Sequence, residues 1–207
     1  MADEALSVTV VVPAYNEVER IGTTVRELAE SYPVLVVDDG STDDTAAVAR
    51  DAGAEVIQQD TNRGYIAALK RGFREATGDI IVTYDADGEH RPSDIERLLG
   101  PLRRDELDLV IGARDRIPRP SERLLNWLTQ RRVNVRDTGS GLRALRRELA
   151  TTMELQAACT CGTFVLEARE HGARIGTVPI ETRSIEKPRG IAWQHGRQLV
   201  YVLQYLL

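Results

Sequence analysis

Two hydrophobic periods alternate along the first half of this chain. Ser7-Val-Thr-Val-Val-Val-Pro13 is β-branched and nearly all apolar, the pattern of a strand buried on both faces. Ile21, Val25 and Leu28 then recur at helical spacing. Pro33-Val-Leu-Val-Val37 predicts a second buried strand. Ser41 or Thr42 stands where a helix running to about Ala52 would be capped. Glu55-Val-Ile57 reads as a third, short strand, and Asn62-Arg-Gly64 opens a helix with Ile66, Leu69 and Phe73 on its stripe. Asp79-Ile-Ile-Val-Thr-Tyr84 predicts a fourth strand. A helix is expected from near Pro92, since proline suits a first turn, and Asp108-Leu-Val-Ile-Gly112 predicts a fifth strand.

Beyond Gly112 the rhythm weakens. Pro118 and Pro120 mark a loop, followed by a short strand around Gly141–Ala144. A helix is expected from about Thr163 to His171, a strand over Arg174–Thr182, and a helical closing segment from Ile191.

Strands alternating with helices of this length predict an α/β fold, a mostly parallel central sheet with helices on both faces. Ligands of such sheets bind beyond the C-terminal ends of the strands. Three polar clusters fall at those ends: Ala14-Tyr-Asn-Glu17, Asp38-Asp39 and Asp85-Ala-Asp87.

Composition agrees with a globular domain, with 42% hydrophobic and 29% charged residues in 207. Met1-Ala-Asp-Glu-Ala-Leu-Ser7 lacks the basic start and apolar stretch of a signal peptide. No run of about 18 apolar residues offers a membrane span. The two cysteines, Cys159 and Cys161, are too close in sequence to staple a fold, so a reducing cytoplasm is the expected setting. Nothing completes zinc-ligand spacing around them, and they read as small packed side chains.

Charge divides the chain. Residues 1–110 hold 11 basic and 23 acidic side chains, a net of -12; residues 111–207 hold 16 and 9, a net of +7. Different partners for the two halves, or one partner carrying both a metal and phosphates, suit that division. Nucleic acid does not, because aromatic residues are only 5% and offer no stacking platform.

Asp85-Ala-Asp87 carries the chemical argument. Two carboxylates two residues apart after a strand can hold a hard divalent cation and leave positions open for phosphate oxygens. Alone, Asp-X-Asp more often marks an ordinary turn. The context favours a ligand, because Asp38-Asp39 closes a neighbouring buried strand, where two carboxylates are costly without one.

Together these segments resemble the family 2 glycosyltransferases of the GT-A fold. The resemblance rests on Val11-Val-Pro-Ala-Tyr-Asn-Glu17, Val36-Val-Asp-Asp-Gly-Ser-Thr-Asp43, Asn62-Arg-Gly64 with Ala68 and Gly72, and Asp85-Ala-Asp-Gly-Glu-His90. Asp137-Thr-Gly-Ser-Gly-Leu-Arg143, Glu167 and Val178-Pro-Ile180 are similar to the dolichyl-phosphate mannose synthase and polyprenyl-phosphate glycosyltransferase branch. The likeness spans roughly residues 7–184. It implies one GT-A domain over residues 1–190, with residues 191–207 as an appended apolar helix.

The resemblance also implies roles. Pro13, Tyr15 and Glu17 line the nucleotide pocket, and Asp39, with Asp38 nearby, accepts hydrogen bonds from the base or ribose. Asp85 and Asp87 hold Mg²⁺ or Mn²⁺ against the diphosphate. Glu89 stands where the branch often has Gln and adds a third oxygen ligand, the alternative being a solvated loop acid. The donor is a nucleotide diphosphate sugar of the GDP-mannose or UDP-glucose type, and transfer proceeds in line with inversion.

The acceptor reading rests on chemistry. A hydroxyl needs a general base, whereas a phosphate is already anionic and needs only cations. Guanidinium groups grip phosphate bidentately, and Arg114, Arg123, Arg143 and Arg183 are the candidates. Arg116, Arg119, Arg131, Arg132 and Arg136 fit a solvated face equally well. The expected acceptor is a polyprenyl phosphate at a membrane surface, with the protein peripheral at the inner face of the cell membrane. The rivals are transfer to a hydroxyl of a lipid or saccharide, and a non-catalytic nucleotide-sugar binder. Trp193, Leu199, Val202, Leu203 and Leu206 form a helical stripe that could pack on the domain, pair two copies as a homodimer, or lie in the membrane interface.

Overall fold

The computed structural model describes residues 6–117, 119–157, 159–183 and 191–206, the side chains of 191–195 excepted. The elements are β1 (Val8–Ala14), α1 (Val18–Ala29), β2 (Val34–Asp38), α2 (Thr45–Asp51), β3 (Glu55–Gln58), α3 (Tyr65–Glu75) and β4 (Ile80–Thr83). A single 3-10 turn at Pro92–Asp94 leads into α4 (Ile95–Arg103). Then come β5 (Leu109–Arg114), α5 (Pro120–Thr129), β6 (Arg143–Arg146), α6 (Arg147–Thr152), α7 (Thr163–Glu170), β7 (Ile175–Ile180) and α8 (Ile191–Gln204).

The strands form one sheet in the order β3-β2-β1-β4-β6-β5-β7. Every pairing is parallel except those of β6, which runs antiparallel to β4 and β5. This is the α/β architecture expected of a GT-A domain. The period of two sorts side chains to opposite faces. Val10, Val12, Ile80, Val82, Val110 and Ala144 meet Ile21, Val25 and Leu28 of α1 and Leu98, Leu99 and Leu102 of α4. Val11, Leu35, Ile81, Ile111 and Leu145 meet Leu69 and Phe73 of α3 and Phe164 and Val165 of α7 on the other face. Gly72 lets α3 lie close to the sheet, because a Cβ there would come 2.2 Å from Val11 Cγ1.

Several boundaries differ from expectation, each for a local reason. Neither Ser41 nor Thr42 caps α2, which starts at Thr45. Ser41 Oγ instead donates to Asp38 Oδ1 and accepts from Asn16 N–H. The Thr42 N–H donates to Asn16 Oδ1 at 2.9 Å. Pro120 opens helix α5 rather than extending a loop, since its missing N–H costs nothing in a first turn. Arg147–Thr152 forms a short helix that the pattern does not predict, and β6 begins at Arg143, two residues later than expected.

Of the C-terminal stripe, Val202 is fully buried and Leu199 and Leu206 pack against the α3–α7 side, while Leu203 faces outward. Trp193 lies outside the described side chains. Polar Gln198 is also fully buried in α8.

Candidate active site

Parallel pairing of β1 with β2 brings Ala14 beside Asp38, so the polar loops leaving these strands are neighbours. The Asp39 N–H donates to Ala14 O at 2.8 Å, and the Glu17 N–H to Thr45 Oγ1 at 2.9 Å. Asn16 holds a left-handed φ of 53° at the centre of this knot. Pro13 is buried at the end of β1, whereas Tyr15 stands 43% exposed above it. Burial raises the Glu17 pKa above the usual carboxylate range, opposed by Arg20 3.3 Å away.

Asp38 and Asp39 are both buried but differ in use. Asp39 accepts from Gln59 Nε2, Arg63 N–H and Gly64 N–H at 2.7, 2.8 and 2.7 Å, which fixes the loop before α3. Gly40, with φ +71°, lets that loop close, since a Cβ there would meet the Thr61 backbone at 2.6 Å. Asp38 keeps one oxygen, Oδ2, buried without a hydrogen-bond partner among the described residues.

The acidic cluster hangs from the end of β4. Tyr84 is buried, donates its hydroxyl to His90 O at 2.7 Å, and meets the His90 ring edge-on at 5.6 Å. The segment 85–90 therefore folds back on itself. Thr83 Oγ1 donates to Gly141 O at 2.6 Å, pulling the loop before β6 under Asp85. Tyr65 is 37% exposed, but its hydroxyl reaches Asp85 Oδ1 at 3.4 Å; desolvation of that hydroxyl, then the Asp85 charge, raises its pKa.

Asp85, Glu89 and His90 each place one ligand atom within 4.8 Å of the others. Glu89 is 7% exposed and His90 fully buried, its Nε2 3.6 Å from Asp85 Oδ2, and neither imidazole nitrogen has a hydrogen-bond partner among the described residues. Two carboxylate oxygens and an unused imidazole nitrogen fit a divalent cation such as Mg²⁺ or Mn²⁺, the nitrogen suiting Mn²⁺ better. Asp87 stands outside that set. Its Oδ1 accepts the Glu89 N–H at 3.0 Å, and its charge is felt at Glu17. Sequence reasoning missed His90 and Tyr65. His90 closes the quoted segment Asp85-Ala-Asp-Gly-Glu-His90, which was a usable signal; nothing in the sequence pointed Tyr65 at Asp85.

The candidate arginines separate. The Arg183 N–H donates to Glu89 O at 2.8 Å, while its guanidinium pairs with Glu27 at 2.9 Å. Arg114 is buried between Asp137 at 2.7 Å and Glu122 at 3.2 Å. Burial opposes its charge, but Asp137 and Glu122 outweigh that and raise its pKa, with Glu89 close enough to contribute. Arg123 is exposed and donates to Ile117 O at 3.2 Å. Arg143 is fully buried: Nη2 donates to Thr160 Oγ1 at 2.8 Å and the guanidinium lies 4.4 Å from the centre of the Phe164 ring. Its Nε and Nη1 have no hydrogen-bond partner among the described residues.

A cavity of about 290 Å³, lined by residues that include Asp108, Arg146, Glu148 and His171, lies toward the opposite ends of the strands. Its Asp108 and Arg146 are committed to each other and to neighbouring Arg174 and Asp105.

The model of the "Glycosyl transferase family 2" family matches residues 9–166. The chain is 32% identical over 203 residues to an undecaprenyl-phosphate mannosyltransferase of Micrococcus luteus, covering 85% of this chain and 82% of that protein. It is 30% identical over 223 residues to a UDP-N-acetylglucosamine–dolichyl-phosphate N-acetylglucosaminyltransferase of Methanococcus voltae, covering 88% and 87%. Glucosyl-3-phosphoglycerate synthase of Mycobacterium tuberculosis, solved with Mn²⁺ and UDP-glucose, superposes with a TM-score of 0.81 at 25% identity, covering 96% of this chain and 78% of that one.

Proposed function

The chain belongs to glycosyl transferase family 2, and on that premise we propose that it transfers one hexose from a nucleotide diphosphate sugar to the phosphate of a polyprenyl lipid at a membrane surface. The observation that carries this reading is the meeting of Asp85, Glu89 and His90 at a strand end with Arg114 and Arg183 beside Glu89. Relatives named as undecaprenyl-phosphate and dolichyl-phosphate transferases support the acceptor class.

In this reading Pro13, Tyr15 and Glu17 line the nucleotide, and Asp38 Oδ2 receives a donor from its base or ribose. Asp39 chiefly keeps the Arg63-Gly64 loop in place. Asp85, Glu89 and His90, with Asp87 at the rim, would hold Mg²⁺ or Mn²⁺. Such an ion, when bound, neutralises the diphosphate as its bond to the sugar breaks. Arg183 and Arg123 guide the acceptor phosphate, whose oxygen attacks the anomeric carbon in line while the nucleoside diphosphate departs with the bonding electron pair. Arg143 adds fixed positive charge from below, while Arg114, neutralised by Asp137 and Glu122, keeps the strand end beside Glu89 in place. Positioning and charge supply most of the rate, so no side chain has to remove a proton.

The membrane side of the proposal draws on α5 and α8, which pack on each other. Leu124 and Trp127 of α5 and Val200 and Leu203 of α8 are 42–58% exposed. Arg131 covers the Trp127 ring at 4.0 Å, and Arg123 and Arg197 are also exposed. No helix among the described residues is long and apolar enough to cross a membrane. Apolar side chains ringed by arginine suit the interface of an anionic bilayer.

A thermal-shift panel of GDP- and UDP-sugars with and without Mn²⁺ identifies the donor, because a ligand of the folded state raises its stability. Radiolabelled transfer is then compared between a short polyprenyl phosphate and the matching polyprenol. Labelling of the phosphate alone is expected. Labelling of the alcohol, or of phosphoglyceric acid, would move the protein to the hydroxyl-acceptor reading that the glucosyl-3-phosphoglycerate synthase likeness favours. Donor binding without transfer would leave a nucleotide-sugar binder.

A further inference from the structure

Two thiols stand beside the buried arginine with no part in the chemistry above. Cys159 and Cys161 flank Thr160 in the bend that leads into α7, and neither is in a disulfide. Both are half-buried, and the two thiols are hydrogen-bonded to each other. Thr160 carries the hydroxyl that accepts Arg143 Nη2–H at 2.8 Å, the one hydrogen bond that this guanidinium makes among the described residues.

The bend is held at fixed points. Gln198 of α8 accepts the Cys159 N–H at 3.0 Å and donates to Cys161 O at 2.8 Å and Thr163 Oγ1 at 2.9 Å. The Thr163 hydroxyl donates to Cys159 O at 3.1 Å. A buried glutamine that holds the Cys159 N–H, Cys161 O and Thr163 Oγ1 at once is an expensive way to pack two small side chains. It holds both thiols at one separation and leaves the backbone between them little freedom.

We propose that Cys159 and Cys161 form an oxidative modification site, a dithiol that hydrogen peroxide closes to a disulfide, drawing Thr160 away from Arg143. The Cys159 thiolate attacks one peroxide oxygen and the O–O bond breaks, giving a sulfenic acid and, after protonation, water. The Cys161 thiolate then attacks that sulfur and expels hydroxide, which takes up a proton as the second water. Two thiols are oxidised, one peroxide is reduced, and the S–S bond replaces two S–H bonds.

The Cys161 hydrogen bond, with Arg143 adding to it against burial, lowers the Cys159 pKa and makes it the attacking sulfur. A disulfide asks for Cα atoms about 4.4–6.8 Å apart, a span that a bent segment can meet across two residues. Gln198 resists the accompanying backbone turn, so the bond is strained and a dithiol reductant reopens it. Disulfide formation stands independently of the proposed transferase reaction; only its effect on rate rests on that reading.

The test treats the intact chain with micromolar hydrogen peroxide and follows mass, the Arg143 Nε–H resonance and transfer. Closure lowers the intact mass by about 2 Da and dithiothreitol restores it. Cys159→Ser and Cys161→Ser each abolish that change while keeping basal transfer. The Arg143 Nε–H resonance moves on oxidation and returns on reduction, whether or not transfer is detected. Transfer, where present, falls at least tenfold and recovers. Gains of oxygen without loss of hydrogen, or a covalent dimer, overturn the site. A closed disulfide that leaves the Arg143 resonance in place overturns the coupling. A normal disulfide and resonance shift in a protein with no transfer activity would instead count against the function proposed above.

Discussion

The Asp85 carboxylate rests on the bare Cα of Gly141: a Cβ at that position would lie 1.9 Å from Asp85 Oδ2. Gly141 is needed there for space, since its backbone carbonyl is already held by Thr83 at 2.6 Å. Gly141→Ala must push Asp85 out of the cluster it forms with Glu89 and His90. Transfer should fall about 100-fold, roughly 2.7 kcal/mol of barrier, with far-ultraviolet circular dichroism unchanged. Mn²⁺ affinity by fluorescence or paramagnetic resonance should fall with it. Unchanged Mn²⁺ binding would remove Asp85 from the proposed metal set.

Tyr65→Phe tests the contact from α3. The 3.4 Å hydrogen bond to Asp85 Oδ1 is long, so its loss should cost about 1 kcal/mol, or roughly fivefold in rate. The effect belongs in kcat, with KM for the donor nearly constant. A larger rise in KM would place Tyr65 on the donor itself.

Asp87 separates rim from core in the same cluster. Its carboxylate caps the Glu89 N–H at 3.0 Å and lies outside the Asp85–Glu89–His90 set. Asp87→Ala is expected to abolish transfer while leaving melting temperature within a few degrees. EDTA should abolish transfer by the wild type reversibly. Full activity in either case would end the metal role assigned to this loop.

Acid stability should report the Asp108 ion pairs. Hydrogen bonding by Arg174 lowers the Asp108 pKa from 3.8 to about 2. A carboxylate with a lowered folded-state pKa adds stability above its unfolded value, and that contribution disappears as pH falls through the folded value. The contribution of this pair is therefore complete above about pH 4 and lost toward pH 2. Asp108→Asn should lower the melting temperature at pH 7 and converge on the wild type near pH 2. A difference that persists unchanged at pH 2 would point to packing instead.

Vesicle flotation addresses the α5–α8 face. Trp127→Glu with Leu203→Glu places two anions among exposed apolar side chains and should release the protein from anionic vesicles, leaving its elution volume unchanged. If the wild type never floats and the variant changes its oligomeric state, the face pairs two copies of the chain.

The first half of the molecule was readable from the sequence because its signals are local. Strands β1, β2, β4 and β5 are buried on both faces, so they appear as short apolar runs bounded by turn residues. The second half was harder to read. β6 enters antiparallel between β4 and β5, an arrangement set by long-range pairing. Pro120 signals a loop as readily as a first helical turn, and here its ring opens α5. Gln198 interrupts an apolar stripe and gives no sign that it braces Cys159 and Cys161, 39 and 37 residues away.

By itself the sequence determined the α/β class, the strand-end location of the acids, the order of the family motifs and the division of charge, since each depends on periodicity or on residues adjacent along the chain. Only the tertiary structure decided which groups face one another. It set Glu89 and His90 beside Asp85 with Asp87 outside their cluster, committed Asp39 to the α3 loop, and locked Arg114 between Asp137 and Glu122. It also buried Arg143 beneath the site and hung it from Thr160. These are contacts between elements, made when the sheet brings remote strand ends together, and the range of side-chain hydrogen bonding is a few ångströms in space whatever the separation in sequence.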